Sequence, residues 1–315
     1  MALIGDDIDH ARRVLNDGGL VGIPTETVYG LAANAFNSAA IGKIFAVKNR
    51  PAFDPLITHV GSLEDLKPLV TEIPSSAKNL IESFWPGPLT VVLPKSNQII
   101  DLITSGLPTA AFRLPRHKLL QELLSGLDFP IVAPSANPFG YVSPTSAEHV
   151  NQQLGDKIDF ILDGGNCNIG IESTIIGFID DQPIVLRLGG LPIEDIEKVV
   201  GKVKISTKIS SNPAVPGMQE SHYSPSKKVV LGNIENLIDL YRTEKIGILS
   251  FTKKYAAYPN FVLSKEASLT EAAVNLFSGL RWFETQDIDI IITEKVSNKG
   301  LGKAINDRLT RASTK

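Results

Sequence analysis

Cysteine is almost missing from this 315-residue chain. Cys167 stands alone, so no intrachain disulfide can form and no cysteine-ligated zinc site is available. Such a chain suits a reducing cytoplasm. Aromatic residues make up only 7%, and no apolar run reaches the roughly 18–20 residues that a membrane helix needs. The N-terminus, Met1-Ala2-Leu3-Ile4-Gly5-Asp6-Asp7, has no basic stretch and turns acidic at once, unlike a secretory leader. Five histidines are scattered at positions 10, 59, 117, 149 and 222, which argues against a histidine metal cage. Walker A, GxSxG and HExxH patterns are all absent. Gly300-Leu301-Gly302-Lys303 lacks both the glycine spacing and the following hydroxyl of a phosphate loop, and reads as a helix start. The chemistry must therefore come from a dispersed site.

What is present is a globular composition, 43% hydrophobic and 21% charged, long enough for two domains. The charge is uneven. Residues 1–227 carry 18 Lys and Arg against 24 Asp and Glu, a net of −6; residues 228–315 carry 13 against 10, a net of +3. A nucleic-acid-binding domain would normally show a basic excess, which the first part lacks.

Alternating patterns predict a mixed α/β sheet over residues 1–201. A helix is expected over Asp7–Asn16, then a strand at Leu20–Pro24. Ser38 is expected to cap a helix that ends at Lys48-Asn49-Arg50, because Pro51 disfavours helix at the preceding residue. Further strands are read at Pro55–Val60, Leu89–Leu93, Ala110–Leu114, Pro130–Ala133 and Phe160–Leu162, with a hairpin of Ser173–Ile179 and Ile184–Leu188 around Asp180-Asp181. Several strand pairs have no helix between them, which argues against a simple doubly wound sheet. Residues 202–227 read as a Pro/Ser-rich linker that ends in His222-Tyr223-Ser224-Pro225. Residues 228–315 resume a compact βα pattern, a small Rossmann-like domain whose long helix has a capping box, Ser268 and Glu271.

Two clusters do not look like core. Pro24-Thr25-Glu26-Thr27-Val28-Tyr29-Gly30-Leu31 places hydroxyls and a carboxylate directly after a buried strand. Lys48-Asn49-Arg50-Pro51 sits about twenty residues on. Taken alone, capping accounts for Lys48 and Arg50, since cations favour helix C-termini. Arg113 lies in the apolar run Ala110-Ala111-Phe112-Arg113-Leu114. A buried cation needs an anion, which here is either an internal carboxylate or a ligand. Arg187 repeats the pattern. Ser135, Asn137 and Ser173-Thr174 stand at other strand ends, where polar residues usually just turn the chain. Their recurrence, without any nucleophile motif, suits a zwitterion beside a polyphosphate.

Several motifs occur in order: the Pro24–Leu31 segment, Lys48-Asn49-Arg50-Pro51, Pro55-Leu56-Ile57, Pro134-Ser135-Ala136-Asn137, Ser143-Pro144-Thr145 and Glu172-Ser173-Thr174. Together they resemble the YrdC-type threonylcarbamoyl-AMP synthase family. Pro216-Gly217-Met218, His222-Tyr223-Ser224-Pro225 and Gly300-Leu301-Gly302-Lys303-Ala304-Ile305-Asn306-Asp307-Arg308-Leu309 resemble its long, two-domain form, so the likeness spans nearly the whole chain. It implies an α/β fold, a YrdC-like twisted mixed sheet followed by a Rossmann-like domain. It also implies a cytoplasmic enzyme that makes threonylcarbamoyl-AMP and pyrophosphate from L-threonine, bicarbonate or CO2, and ATP, with Mg2+. The product would pass to tRNA-modification partner proteins; direct tRNA binding would be an addition. By carry-over, Thr27, His59, Arg113, Ala133 and Ser173 would surround threonine. Arg50, Asp54, Thr109, Ser135, Asn137, Ser143, Arg187 and Tyr223 would hold ATP. Lys48 and Arg50 would neutralise charge on the phosphates, and no protein side chains alone would hold a metal. Three positions depart from the family pattern: Asp54 for Asn or His, Phe139 for a small residue, and Leu188 for Pro. The linker carrying His222-Tyr223 is expected to act as a lid, with the C-terminal domain as its anchor. Two rival readings are a non-catalytic double-stranded RNA- or tRNA-binding module and a carbamoyl transferase of the hydrogenase-maturation kind. The net −6 of residues 1–227 counts against the first, and the single cysteine against the zinc fingers of the second.

Overall fold

A computed structural model describes residues 2–206 and 223–314. Eleven strands form one mixed sheet. In chain order they are β1 (Leu3–Gly5), β2 (Val21–Ile23), β3 (Gly30–Asn34), β4 (Ile57–His59), β5 (Leu89–Pro94), β6 (Thr109–Arg113), β7 (Ile131–Val132), β8 (Phe160–Leu162), β9 (Thr174–Ile179), β10 (Gln182–Arg187) and β11 (Lys204–Ile205). Their spatial order is β1-β8-β2-β3-β7-β4-β6-β5-β9-β10-β11. Parallel pairs such as β4/β6 and β5/β9 alternate with antiparallel ones such as β3/β7 and β5/β6, as the missing crossover helices predict. The helices are α1 (Ile8–Asn16), α2 (Ser38–Lys48), α3 (Leu63–Leu66), α4 (Ser75–Phe84), α5 (Asp101–Thr104), α6 (Lys118–Ser125), α7 (Ala147–Leu154) and α8 (Ile193–Val200).

The C-terminal domain has four parallel strands, β12 (Lys228–Leu231), β13 (Ile246–Ser250), β14 (Asn260–Val262) and β15 (Ile290–Thr293), in the order β12-β15-β13-β14. With them go α9 (Ile234–Leu240), α10 (Leu269–Trp282) and α11 (Gly302–Ala312). Among the described residues, no helix is long and apolar enough to cross a membrane.

Several local expectations need correction. The cap of α2 is Asn37, not Ser38: the Asn37 side chain accepts the Ala40 N–H. At α10, Ser268 does receive the Glu271 N–H, but the Glu271 carboxylate accepts from Ser264 Oγ at 2.6 Å and Ser264 Oγ receives the Ser268 N–H at 2.9 Å, so the capping box closes through a third residue. β3 was not expected. Its Gly-Leu-Ala-Ala-Asn sequence is buried on both faces through Ala33, so it shows no alternation. Lys204–Ile205, inside the stretch that composition reads as linker, pairs with β10 and extends the sheet.

The sheet's two faces set up the site. In β6, Ala110 and Phe112 enter the main core, while Ala111 packs on Ile57 and Ile175 on the other face, where Thr109 and Arg113 also point by the strand's two-residue period. Arg187 reaches that same face by a different route. A one-residue register shift between Val185 and Arg187 breaks the alternation of β10, so Leu186 and Arg187 both serve the outer face. Bulges characteristically re-aim side chains in this way.

Candidate active site

Pro24–Leu31 is laced to the loop after β7. The Tyr29 N–H donates to Pro144 O at 2.8 Å, Leu31 N–H to Pro134 O at 2.7 Å, and Ala136 N–H to Tyr29 O at 2.9 Å. Within the segment, Thr25 Oγ1 receives the N–H groups of Thr27 and Val28 and donates to Val28 O. This hydroxyl-built turn fixes Thr27, whose own Oγ1 lies 2.8 Å from that of Thr25. On the facing side, α2 ends at Asn49 in the left-handed conformation, φ 51°, which asparagine tolerates well. The Lys48 ammonium is fully buried and donates to the carbonyls of Ser135 and Asn137. Burial first, and then Arg50, push its pKa well below the usual lysine value.

These elements enclose a cleft of about 580 Å³, open solvent at its mouth included. The cleft brings together Thr27, Arg50, His59, Arg113, Ala133, Ser135, Ser173, Arg187 and Tyr223. Its wall also includes Thr25, Val28, Ile57 and Glu172, none of which the sequence reading assigned to a substrate. Five expected residues do not line it: Lys48, Asp54, Thr109, Asn137 and Ser143. Thr109 lines a second groove with Gly177, Ile184 and Leu186. The apolar strip of Ile57, Ala111 and Ile175, flanked by Val92 and Leu186, has residues in both grooves.

Three buried arginines line the cleft, and each faces a carboxylate. Arg113 Nη2 lies 2.8 Å from Glu26 Oε1, yet without hydrogen-bond alignment, and neither Glu26 oxygen has a hydrogen-bond partner among the described residues. Arg113 also donates to Gly87 O at 3.2 Å. The internal carboxylate that the buried cation required is thus Glu26. Arg50 repeats the arrangement: Nη2 is 3.0 Å from Asp54 Oδ2, again unaligned, while its firm hydrogen bonds go to the carbonyls of Asp54 and Pro55. Burial raises the Asp54 pKa, with Arg50 opposing. Arg187 donates to Ser173 O and, at 3.0 Å, to Ser173 Oγ, which also pairs with Thr90 Oγ1 at 2.7 Å. Glu172 lies beside it. Burial would raise that carboxyl, but Arg308, Arg187 and the Ser143 hydroxyl together hold it below its ordinary value. Only glycine fits at 189, where a Cβ would come within 2.3 Å of Glu172 O. His59 has its pKa lowered to about 3, by burial and then by Arg113. Its Nδ1 also has no hydrogen-bond partner among the described residues.

The C-terminal domain docks directly onto this structure. Arg308 donates to Glu172 at 2.9 Å and to Leu188 O at 2.8 Å. Arg281 donates to the carbonyls of Ser143 and Val142. Tyr223 is buried against Phe277 and Arg308, in a left-handed conformation with φ 67°. Of the stretch expected to act as a lid, residues 207–222, His222 among them, lie outside the described residues. Arg281, Arg308 and Thr90 gave no sequence signal of their own, although Arg308 stands inside a quoted motif.

Fold and cleft together turn three buried arginines and several side-chain hydroxyls toward one space. Residues 13–189 match the Sua5/YciO/YrdC family model (telomere recombination), and residues 191–314 match the threonylcarbamoyl-AMP synthase C-terminal domain. The chain is 43% identical to the threonylcarbamoyl-AMP synthase of Pyrococcus abyssi, over 96% of this chain and 93% of that one. It is 39% identical to the Bacillus subtilis threonylcarbamoyl-AMP synthase, over 97% and 92%. The crystal structure of P. abyssi Sua5 complexed with L-threonine superposes with a TM-score of 0.94 at 41% identity, covering 99% of this chain and 97% of that one. The chain belongs to the two-domain, Sua5-type threonylcarbamoyl-AMP synthase family.

Proposed function

We propose that this protein condenses L-threonine, CO2 or bicarbonate, and ATP into threonylcarbamoyl-AMP and pyrophosphate, for transfer to tRNA by partner proteins. The observation that carries this reading is one cleft lined at once by three buried arginines, Arg50, Arg113 and Arg187. Arg113, Thr27, His59, Ala133 and Ser173 form the threonine end. The Arg113 guanidinium takes the carboxylate by charge-assisted bonds, and its loosely aligned contact with Glu26 leaves it able to do so. Arg50, Arg187, Ser135 and Tyr223 form the nucleotide end. Asn137 and Ser143 support it from behind, with Asp54 facing Arg50 there, and the apolar strip leads the nucleotide toward Thr109. Lys48 serves by fixing the Ser135–Asn137 loop through its carbonyls.

The neutral amine of threonine attacks CO2, forming the N–C bond of a carbamate and releasing a proton. From bicarbonate, the amine proton instead leaves within a water molecule, so amine and bicarbonate give carbamate and water with no net proton released. A carbamate oxygen then attacks the α-phosphorus, and the bond to the β-phosphate oxygen breaks to release pyrophosphate. No protein nucleophile takes part. The protein contributes orientation and fixed positive charge against the developing phosphate charge. Magnesium is read as part of the nucleotide substrate. Mg2+ commonly binds through substrate phosphates with one or two carboxylates. Among the described residues no cluster of three metal-ligating side chains exists, and Glu26, Asp54 and Glu172 each face an arginine.

The test is pyrophosphate release from ATP and bicarbonate, with each amino acid in turn. Release that depends on threonine is expected; release indifferent to it overturns the assignment. The net −6 of residues 1–227 gives no support to a purely RNA-binding role.

A further inference from the structure

We propose that Arg308, in the last helix of the C-terminal domain, is a positioning residue for the nucleotide end of the cleft, so that the second domain is a structural part of the catalytic site. This rests on the reading of that end as the nucleotide site. Arg308 is completely buried, and among the described residues its polar and ring contacts outside its own helix reach the cleft wall or its immediate support. Nε donates to Glu172 Oε2 at 2.9 Å, and Glu172 lines the cleft. Nη2 donates at 2.8 Å to the carbonyl of Leu188, the residue after Arg187. The guanidinium carbon lies 4.8 Å from the ring centre of Tyr223, which also lines the cleft. Through Glu172 the chain of contacts goes on: its other oxygen accepts the Ser143 hydroxyl at 2.6 Å. A second arginine of the same domain, Arg281, holds the Ser143 carbonyl at 3.2 Å.

A residue that served only to dock two domains would have no reason to converge on one end of the cleft. Two other interdomain polar contacts show what docking alone looks like. Lys303 pairs with half-exposed Glu194 at 2.8 Å, and Thr145 pairs with Ser278 at 3.0 Å, with none of the four lining the cleft. The threonine end, by contrast, receives no side chain from the C-terminal domain in any described contact. The planar fork of arginine is what lets one side chain grip Glu172 and Leu188 O together; a lysine at 308 keeps the charge but cannot reproduce that grip.

The test compares wild type, Arg308→Lys and Glu172→Gln, each as the full chain. Calorimetry reads binding of a non-hydrolysable ATP analogue and, separately, of L-threonine; thermal unfolding checks domain docking. Both variants are expected to weaken the analogue by roughly 10- to 100-fold, the range for losing a buried hydrogen bond to a charged group. Threonine affinity should stay within about twofold of wild type. The double variant should be little worse than either single one, because both act through one contact. Glu172→Gln keeps Arg308 in place, so it decides the matter even where Arg308→Lys folds poorly. Unchanged analogue binding with a lower melting temperature, equal losses for threonine and analogue, or strictly additive effects would each overturn the proposal. A wild-type chain that binds the analogue but releases no threonine-dependent pyrophosphate breaks the functional reading, while the analogue affinities still decide this one. A wild-type chain that binds no analogue overturns both.

Discussion

At the Arg113 end of the cleft, the polar residues come from strand ends and turns of the first domain, and the guanidinium carries its own buried carboxylate, Glu26. At the Arg187 end, the neighbouring carboxylate, Glu172, is held by a residue 136 positions later in another domain. The first arrangement is complete once the sheet has formed. The second is complete only after the C-terminal domain has docked. A one-domain pocket and a two-domain pocket thus share one cleft, and they should fail in different ways.

Removing Arg113 should give the largest effect. Arg113→Ala would leave Glu26, with only 1% of its side chain exposed, as an uncompensated buried carboxylate. Breaking such a pair costs about 3–5 kcal/mol. Urea unfolding should show that loss, and threonine binding should vanish with it. The double variant Arg113→Met with Glu26→Leu should recover most of the stability, since apolar replacements of a buried pair are often neutral. It should still bind no threonine. Threonine binding by the double variant would remove Arg113 from the carboxylate site.

Acid should distinguish the two regions next. A histidine held neutral lies at the threonine end and another at the domain seam outside the cleft: His59, with its pKa lowered to about 3, and His149, lowered to about 4 by burial and Arg281. Unfolding frees both to titrate near 6.5. Below that pH the unfolded chain binds more protons than the folded one, so stability falls as pH drops, toward about 3 for His59 and about 4 for His149. For His59 the slope is at most about 1.4 kcal/mol per pH unit. His149 is only partly buried and should contribute less. His59→Gln should therefore flatten the acid limb of a stability–pH curve more than His149→Gln does. The reverse order would mean that the seam, not the threonine end, is the acid-sensitive region.

How much of this was readable in sequence follows from the same contrast. The Arg113 end was legible because β6 keeps strict alternation, so a charge in an apolar strand stood out at once. Its partner Glu26 was visible as a polar residue in a conspicuous segment, though pairing across the fold was not. The Arg187 end was legible only as a second charged strand. The register shift in β10 that turns Arg187 outward leaves no mark in Ile184-Val185-Leu186-Arg187-Leu188. Arg281 and Arg308 were hidden for another reason. A charged residue on a helix is ordinarily solvated, and nothing local tells a docking arginine from a surface one. Lys48 read as a cap and a phosphate clamp, whereas its ammonium holds two loop carbonyls. Such a long-range bond to backbone has no sequence pattern at all.

Asp54 permits a smaller test at the nucleotide end. Its carboxylate faces Arg50 at 3.0 Å without an aligned hydrogen bond, and burial pushes its pKa up. A buried negative charge there opposes an incoming triphosphate. Asp54→Asn removes that charge while keeping the side-chain shape, and should lower the KM for ATP by a few-fold, about 1 kcal/mol, and leave that for threonine unchanged. A higher KM for ATP would mean that Asp54 aims Arg50 rather than masking it.

An effect of similar size is expected where the two ends meet. Ser173 Oγ touches Thr90 Oγ1 at 2.7 Å and receives Arg187 Nη2 at 3.0 Å, so one hydroxyl joins the proposed threonine end to the proposed nucleotide arginine. Thr90 is buried in β5 and does not line the cleft, and Thr90→Val keeps its shape while removing one hydrogen bond, worth about 0.5–1.5 kcal/mol. Ser173 would keep its bond from Arg187 but lose the partner that fixes its rotamer. If Ser173 serves threonine, KM for threonine should rise roughly twofold to tenfold while KM for ATP holds. If both constants rise together, Arg187 has moved with Ser173, and the two ends are coupled through that single oxygen rather than merely adjacent.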